Sequence, residues 1–191
     1  MNGSSYGWWH FPWAGLARSM QTGAVVPSQR FLIEKMIAPV PKNYTGRVIE
    51  LGAGPGNLTL RLAHRCPAAR ILTCEINPTL AEVCRRNLKT AGLSDRAVVV
   101  PEAAERMLAD LPRSGAAPDF VISGIPLATL ERPRTLALLA AVRNVLANGG
   151  LYIQFQYSLV DRENIRGCFS SLRTIPVWLN FPPAVVYYAR R

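Results

Sequence analysis

One short stretch, residues 48–63 (VIELGAGPGNLTLRLA), limits what this chain can fold into more than any other feature. A run rich in branched residues ends at Leu51, three glycines follow at alternate positions, and a helical pattern begins at about Asn57. Glycines let the backbone turn sharply and let a ligand approach it without a Cβ in the way. The stretch therefore predicts a strand, a ligand-binding turn and a helix.

The rest of the chain continues this alternation. Strands are predicted at 47–51, 70–75, 97–100, 119–123 and 151–157, and helices at 57–65, 78–90, 102–108, 133–146 and 161–171. Two last strands, near 174–179 and 184–188, have no helix between them and should form an antiparallel hairpin. We therefore predict an α/β fold: a doubly wound, seven-stranded, mainly parallel sheet with a C-terminal antiparallel hairpin.

The charge balance predicts an anionic partner. Lys and Arg number 22 against 12 Asp and Glu, a formal net charge of +10, and no basic run is longer than two residues. Nucleic acid and an acidic membrane surface both fit such a balance. The four cysteines lack metal-ligand spacing, so we expect free thiols, a reducing compartment and no metal. Without a secretory signal or an apolar run long enough to span a bilayer, we expect a cytoplasmic protein, peripheral to the membrane.

An aromatic segment precedes the predicted domain. Residues 8–13 read WWHFPW, and helical spacing places Trp9 and Trp13 on one stripe with Leu16 and Met20. Such a segment suits the interface of a bilayer, where Trp rings prefer to lie; packing as a lid on the domain is the alternative, and both can hold. We predict a docking segment or lid at 1–21 and one domain at 22–191, with four docking side chains: Trp8, Trp9, Phe11 and Trp13.

Two acidic residues distinguish the possible ligands of the glycine turn. Glu50 precedes the turn, and Glu75 closes the next strand, where a carboxylate can accept both ribose hydroxyls. Glu50 would repel the pyrophosphate of a dinucleotide but can face the cationic amino and sulfonium groups of S-adenosylmethionine. The third glycine also comes one residue too early for the dinucleotide pattern. Charge therefore favours S-adenosylmethionine, with a purely structural role as the alternative for each carboxylate.

Three motifs carry a family resemblance: ELGAGPG at 50–56, CEIN at 74–77 and PEAA at 101–104. As a set they resemble the successive cofactor motifs of class I methyltransferases, which have a Rossmann-like fold, over roughly residues 22–189. The resemblance implies that Glu50 and the glycine backbone hold the methionine moiety, that Glu75 binds the ribose and that Glu102 contacts the adenine amine. The predicted cofactor-binding residues are Ser28, Glu50, Gly52, Ala53, Gly54, Asn57, Glu75, Ile76, Asn77, Glu102, Ala103 and Ser123.

The methyl acceptor is predicted from three further stretches: GAVVPSQRFL at 23–32, SGIPL at 123–127 and WLNFPPA at 178–184. Together they resemble the bacterial phospholipid N-methyltransferases, which convert phosphatidylethanolamine to phosphatidylcholine and have relatives that methylate ornithine lipids. The resemblance places the segment around Ser28 and Arg30 over cofactor and headgroup, although Ser28 could instead cap a helix and Arg30 could be a surface residue. The predicted substrate-binding residues are Arg30, Gly124, Ile125, Pro126, Tyr157 and Trp178.

The expected reaction is attack of a neutral amine on the sulfonium methyl group. Burial beside a cation lowers the pKa of an amine, and no obvious base lies in the motifs, so proximity and desolvation should supply most of the rate. Tyr157, the predicted catalytic residue, could hold the methylated ammonium by cation–π contact. The predicted partners are an anionic membrane surface and an aminophospholipid.

Two other functions remain open from the sequence. GNLTLRLA also resembles the ribosomal RNA adenine dimethyltransferases, yet Ser123 and Leu127 stand where a planar amide and a stacking aromatic are needed for a flipped base. We therefore do not expect nucleic acid as a substrate. The other alternative is a non-catalytic lipid- or nucleic-acid-binding module on the same fold. The number of methyl transfers, the preferred headgroup and the oligomeric state are not predicted.

Overall fold

The computed structural model describes residues 29–111 and 116–191. The segment 1–21 and Ser28 lie outside the described residues. The roles assigned to Ser28 and to the four aromatic docking side chains therefore stay predictions, as does the boundary between segment and domain.

A single sheet of seven strands organises the described residues. The strands are β1 (Arg47–Leu51), β2 (Arg70–Cys74), β3 (Ala97–Val100), β4 (Phe120–Ser123), β5 (Leu151–Gln156), β6 (Ser171–Val177) and β7 (Ala184–Arg190). They lie in the order β3-β2-β1-β4-β5-β7-β6. The first five are parallel, and β7 runs antiparallel to both β5 and β6. The predicted fold class is confirmed.

Helices cover both faces of the sheet. They are α1 (Gln29–Ile37), α2 (Asn57–Arg65), α3 (Pro78–Thr90), α4 (Ala104–Ala109), α5 (Arg132–Val145) and α6 (Arg162–Cys168). Their apolar faces join the strands in two core clusters, one on each side of the sheet. From Val48 to Leu51 the central strand β1 is buried on both faces, as parallel strands between two helical layers are, and Glu50 is the one charged residue in this buried part.

Helix α1 was not predicted from the sequence. Its apolar residues Leu32, Ile33, Met36 and Ile37 recur at helical spacing and are buried against the sheet. The helix packs on α2 and on strands β5, β6 and β7. Tyr188 Oη donates a hydrogen bond of 2.5 Å to the carbonyl of Lys35, which ties the helix to β7. The helix therefore packs on one face of the sheet, and residues from its start, including Gln29, Leu32 and Ile33, line a cavity at the carboxyl ends of the strands, where ligands bind in such sheets.

The structure corrects the predicted boundaries near the C-terminus. Strand β6 covers Ser171–Val177, whereas 174–179 was predicted, and α6 ends at Cys168 because Phe169 is already extended. The amide of Asn180 donates to the carbonyl of Val177 at 3.3 Å, so the chain turns at residue 178 instead of continuing as strand.

Within 29–111 and 116–191, no helix combines the length and apolar character that a membrane span needs. The same ranges contain no group of three or more His, Cys, Asp or Glu side chains placed to hold a metal ion.

Candidate active site

Two adjoining cavities lie at the carboxyl ends of β1, β2 and β4. The larger has a volume of about 270 Å³ and reaches under α1, and the smaller, of about 180 Å³, lies between β2, β4 and the start of α4. Gly52, Glu75 and Ile125 line both cavities. The two together form one cleft, with Glu75 at the junction.

The glycine turn needs its glycines for different reasons. Gly52, Gly54 and Gly56 have φ angles of 79°, 54° and 93°, which side chains disfavour. A Cβ on Gly56 would lie 2.7 Å from Cys84 Sγ, so this glycine lets α2 pack closely on α3. A Cβ on Gly54 would meet nothing within 4 Å, because this residue borders the open space of the larger cavity. Gly54 is therefore the position where the backbone itself can touch a ligand.

Glu75 is held rigidly between the two cavities. Its Oε2 accepts a 2.8 Å hydrogen bond from the Gly54 amide, and its Oε1 accepts a 2.9 Å bond from the Asn77 amide. Each carboxylate oxygen retains acceptor capacity for a further donor. The two bonds fix the carboxylate at the junction of the cavities and link the glycine turn to the end of β2. It suits a ligand with two neighbouring hydroxyl groups.

Glu50 is an acid inside the core. It is 1% exposed, and the hydroxyl of Thr59 donates a 2.6 Å hydrogen bond to its Oε2. Loss of solvent is the main cause that raises the pKa of Glu50 to about 7; the hydroxyls of Thr59 and Thr73 oppose the rise, and the negative charge of Glu75 adds to it. A cation bound in the larger cavity, which Glu50 lines, would favour the ionised carboxylate.

The smaller cavity is a narrow slot beside α4. Ile76, Glu102 and Ala103, which were predicted to bind the cofactor, line it. Glu105 and Arg134 also line it and form an ion pair with 2.6 Å between Oε1 and Nε. This pair was missed because its two members are 29 residues apart and meet only when α4 packs on α5. Glu75 lines both the slot and the larger cavity, so a ligand held by Glu75 can extend into the slot.

The loop 124–126 separates the two cavities, and hydrogen bonds with buried side chains of β4 and β5 hold it in place. Ser123 Oγ accepts a 3.2 Å hydrogen bond from the amide of Ile125, and Gln154 Nε2 donates to the carbonyl of Ile125 at 2.9 Å. Tyr152 Oη in turn donates to Gln154 Oε1 at 2.5 Å. Ser123 is fully buried and lines neither cavity, so in this structure it supports the loop, and its predicted contact with the cofactor stays a prediction.

The cleft gathers most of the predicted site residues, but four of those that the structure describes line neither cavity: Arg30, Asn77, Ser123 and Trp178. The larger cavity is lined by Glu50, Gly52, Ala53, Gly54, Asn57, Glu75, Gly124, Ile125, Pro126 and Tyr157. Of the other predicted residues, Asn77 caps α3 by accepting from the amides of Thr79 and Leu80, and Arg30 and Trp178 are exposed and line neither cavity. Several residues that line the larger cavity were not predicted: Gln29, Leu32, Ile33 and Met36 of α1, Phe155 of β5, and Pro55, Leu58 and Leu80.

Tyr157 lines the larger cavity, and its ring packs edge-on against Phe155 with 5.5 Å between ring centroids. Burial raises the pKa of Tyr157, and an interaction with the side chain of Asn180 opposes this rise. The phenol is therefore protonated at neutral pH, and it can offer a ring face or a hydroxyl but does not serve as a base.

Comparison with known proteins agrees with this geometry. A family model described as "Methyltransferase domain" matches residues 48–150, just over half of the chain. An ornithine lipid N-methyltransferase from Singulisphaera acidiphila is 28% identical over 171 residues, which cover 87% of each chain. A trans-aconitate 2-methyltransferase from Methylobacterium radiotolerans is 30% identical over 66% of this chain and 44% of its own.

Solved structures share the fold. The precorrin-6y C5,15-methyltransferase of Geobacter metallireducens GS-15 superposes with a TM-score of 0.68 at 17% identity, covering 84% of this chain and 88% of that one. The range matched by the family model contains Glu50, the glycine turn, Glu75 and Glu102.

Proposed function

The chain belongs to the methyltransferase domain family and uses S-adenosylmethionine as its cofactor, and from this we propose that it methylates the amino group of a lipid headgroup at a membrane surface. The two candidate substrates are phosphatidylethanolamine, which would be converted towards phosphatidylcholine, and ornithine lipid.

The residues of the cleft fit the cofactor. Glu75 presents both carboxylate oxygens where ribose hydroxyls would bind, Gly54 leaves open space beside its backbone, and Glu50 places a buried carboxylate next to a cationic ligand. The slot around Ile76 and Glu102 would receive the adenine. The cofactor supplies an electrophilic methyl group on a sulfonium ion.

The choice of methyl acceptor rests on one observation. The part of the larger cavity that would receive the acceptor is lined by apolar and aromatic side chains. These are Leu32, Ile33, Met36, Ile125, Phe155 and Tyr157. Among the described residues that line this cavity there is no histidine, and the two acids are Glu50 and Glu75. An alkyl amine, with an ordinary pKa near 10, loses its proton more easily when such walls desolvate it next to a cation. This environment suits an amine whose own basicity makes it the nucleophile.

The similarity to the ornithine lipid N-methyltransferase supports the same acceptor class, because it extends over 87% of both chains. Tyr157 would then hold the methylated ammonium by cation–π contact. Arg30, exposed in the first turn of α1, could reach a headgroup phosphate. A nucleobase acceptor is disfavoured, since Ser123 and Leu127 are both fully buried and present neither an amide nor a ring to the cleft.

We expect the purified protein to transfer label from S-adenosylmethionine to lipid and not to RNA. The measurement incubates the protein with labelled cofactor and, in separate reactions, vesicles containing phosphatidylethanolamine, vesicles containing ornithine lipid, and ribosomal RNA. A protein with Glu50→Gln serves as the blank. Label recovered in RNA while both lipids stay unlabelled would reverse the assignment.

We expect Glu75→Gln to weaken S-adenosylmethionine binding about 10- to 100-fold, the loss of one or two hydrogen bonds to a charged group. Gln has a single acceptor oxygen, so its NH₂ group must face either the Gly54 or the Asn77 amide, which are both donors. Isothermal titration measures the affinity. Glu82→Gln is the control, because Glu82 is exposed and forms an ion pair with Arg85 on the same helix; equal affinities for the two variants would contradict the role of Glu75.

A further inference from the structure

Five exposed apolar side chains lie on two neighbouring loops. We call them the tip patch: Leu159 and Val160, which follow β5, and Trp178, Leu179 and Phe181 in the turn between β6 and β7. Trp178 is 76% exposed and Phe181 is 82% exposed. Exposed large apolar side chains that are grouped in this way mark an interaction site more often than a chance arrangement.

The tip patch lies at the same edge of the sheet as the active-site cleft. Strand pairing places Gln156, the last residue of β5, opposite Val185, and Val185 opposite Pro176 near the end of β6. Strands β5 and β6 therefore end at the edge where the parallel strands β1 and β4 also end. Tyr157 lines the larger cavity and precedes Leu159 by two residues. The patch is thus beside the cleft.

In the turn between β6 and β7 the polar residue is buried and its apolar neighbours are exposed, the reverse of an ordinary surface turn. The polar residue, Asn180, is 2% exposed, and Asn180 Nδ2 donates a 2.6 Å hydrogen bond to the carbonyl of Pro182. The residues on either side, Leu179 and Phe181, point into solvent. An internal hydrogen bond therefore holds the turn in a shape that presents apolar side chains outward. Such exposure is unfavourable in water and is relieved when an apolar phase covers it.

The charge of the chain indicates which apolar partner the tip patch would contact. The sequence has no acidic residue from 164 to 191 and a net charge of +10. Arg30, in the α1 turn above the cleft, has no acidic side chain within ion-pair distance among the described residues. Tryptophan prefers the depth of lipid headgroups, and basic residues near the surface bind anionic lipid. This combination matches an anionic bilayer better than a protein surface.

We propose that the tip patch inserts into an anionic bilayer surface and thereby places the mouth of the cleft at the headgroups. This inference rests on the proposed lipid acceptor for its purpose, but the insertion itself can be measured without any methyl transfer. The tip patch would be a second membrane contact besides the one predicted for the aromatic segment 1–21. Unlike that segment, it consists of residues of the folded domain.

Trp178 is the reporter for the first test. The full chain with Trp8, Trp9 and Trp13 replaced by Phe keeps Trp178 as its single tryptophan. We expect its emission to shift to shorter wavelength, and to be quenched by brominated acyl chains, on addition of phosphatidylcholine vesicles containing phosphatidylglycerol. Pure phosphatidylcholine vesicles should give a smaller change. No shift with anionic vesicles would overturn the proposal, and so would a shift that appears without vesicles as protein concentration rises, which would assign the patch to a second copy of the chain.

The second test compares two pairs of substitutions. Leu179→Ser with Phe181→Ser should weaken binding to anionic vesicles at least about tenfold, which corresponds to about 1.4 kcal/mol. Val98→Ser with Leu136→Ser is the matched control, because both residues are exposed, lie on β3 and α5, and line neither cavity; its vesicle binding should change less than twofold. Affinity for S-adenosylmethionine should be unchanged in both pairs, which shows that each is folded. Equal vesicle binding by the two pairs would refute the proposal.

The two proposals fail in distinguishable ways. If Trp178 enters the bilayer but no lipid is labelled, the docking surface stands and the lipid acceptor is wrong. If lipid is labelled while Trp178 stays in water, the acceptor stands and the docking surface is wrong.

Discussion

Replacing Glu50 by Gln is expected to weaken S-adenosylmethionine binding at least about 100-fold. The carboxylate is buried in the wall of the larger cavity, on β1 directly before the glycine turn. An amide of the same shape keeps the hydrogen bond from Thr59 but offers no charge to a cationic ligand. Coulomb attraction across a few ångströms at the effective dielectric of a protein is about 4 kcal/mol, of which part is offset by desolvation. Isothermal titration of both proteins measures the loss.

The same substitution should stabilise the cofactor-free protein at neutral and alkaline pH. The pKa of Glu50 is about 7 in the fold and about 4.5 in the unfolded chain, so the folded state retains a proton between these values. Stability that is present below pH 4.5 is therefore lost as pH rises to 7, by an amount on the order of 3 kcal/mol. The Gln variant has no such loss. Urea denaturation should give similar free energies of unfolding at pH 4.5 and a more stable variant at pH 8.

Cofactor binding should depend on pH for the same reason. A cation in the cavity favours ionised Glu50, so the affinity of the natural protein should rise as pH increases through about 7, with release of a proton. Titrations in buffers of different ionisation enthalpy measure that proton. Glu34→Gln is the control, since Glu34 is exposed and pairs with Arg61 on α2. The assignment of Glu50 would be wrong if the Gln variant bound the cofactor normally or released the same proton.

Replacing Gly54 by Ala is expected to reduce cofactor affinity at least about 30-fold, while the same change at Gly92 leaves it unaltered. Both glycines have positive φ angles, 54° and 68°, and at both a Cβ would have no atom within 4 Å. The two substitutions therefore impose a similar backbone strain, about 1–2 kcal/mol each. They differ in place: Gly54 borders the cleft, and Gly92 lies in the turn between α3 and β3.

Thermal unfolding and cofactor titration separate the two effects. Both Ala variants should lose a comparable few degrees of melting temperature, and only Gly54→Ala should lose binding, because its methyl group occupies space that the ligand needs. A further loss with Gly54→Val would follow from the larger side chain. If both Ala variants bound the cofactor equally well, the open space at Gly54 would not be the cofactor site.

The strands and most helices could be predicted from the sequence because their signals are local. Helices α2 and α3 and strands β1 and β3 begin and end at the predicted residues. The alternation of branched runs with helical patterns, and the helix start at Asn77 and Pro78, depend on neighbours a few positions away. Glu50, the glycine turn and Glu75 were likewise found from sequence, since the carboxyl ends of adjacent parallel strands must meet at one edge of the sheet.

Other features exist only because the chain is folded. Helix α1 reaches the cleft through packing on β5–β7, Glu105 meets Arg134 across two helices, and Ser123 turns inward to hold Ile125. Trp178 was predicted to contact substrate; it is exposed in the turn between β6 and β7 and lines neither cavity, so this role stays a prediction. Periodicity determines which residues form a strand or a helix and which face is apolar. Where distant side chains meet, and which apolar ones stay uncovered, depends on tertiary packing, because those contacts join residues that the sequence keeps far apart.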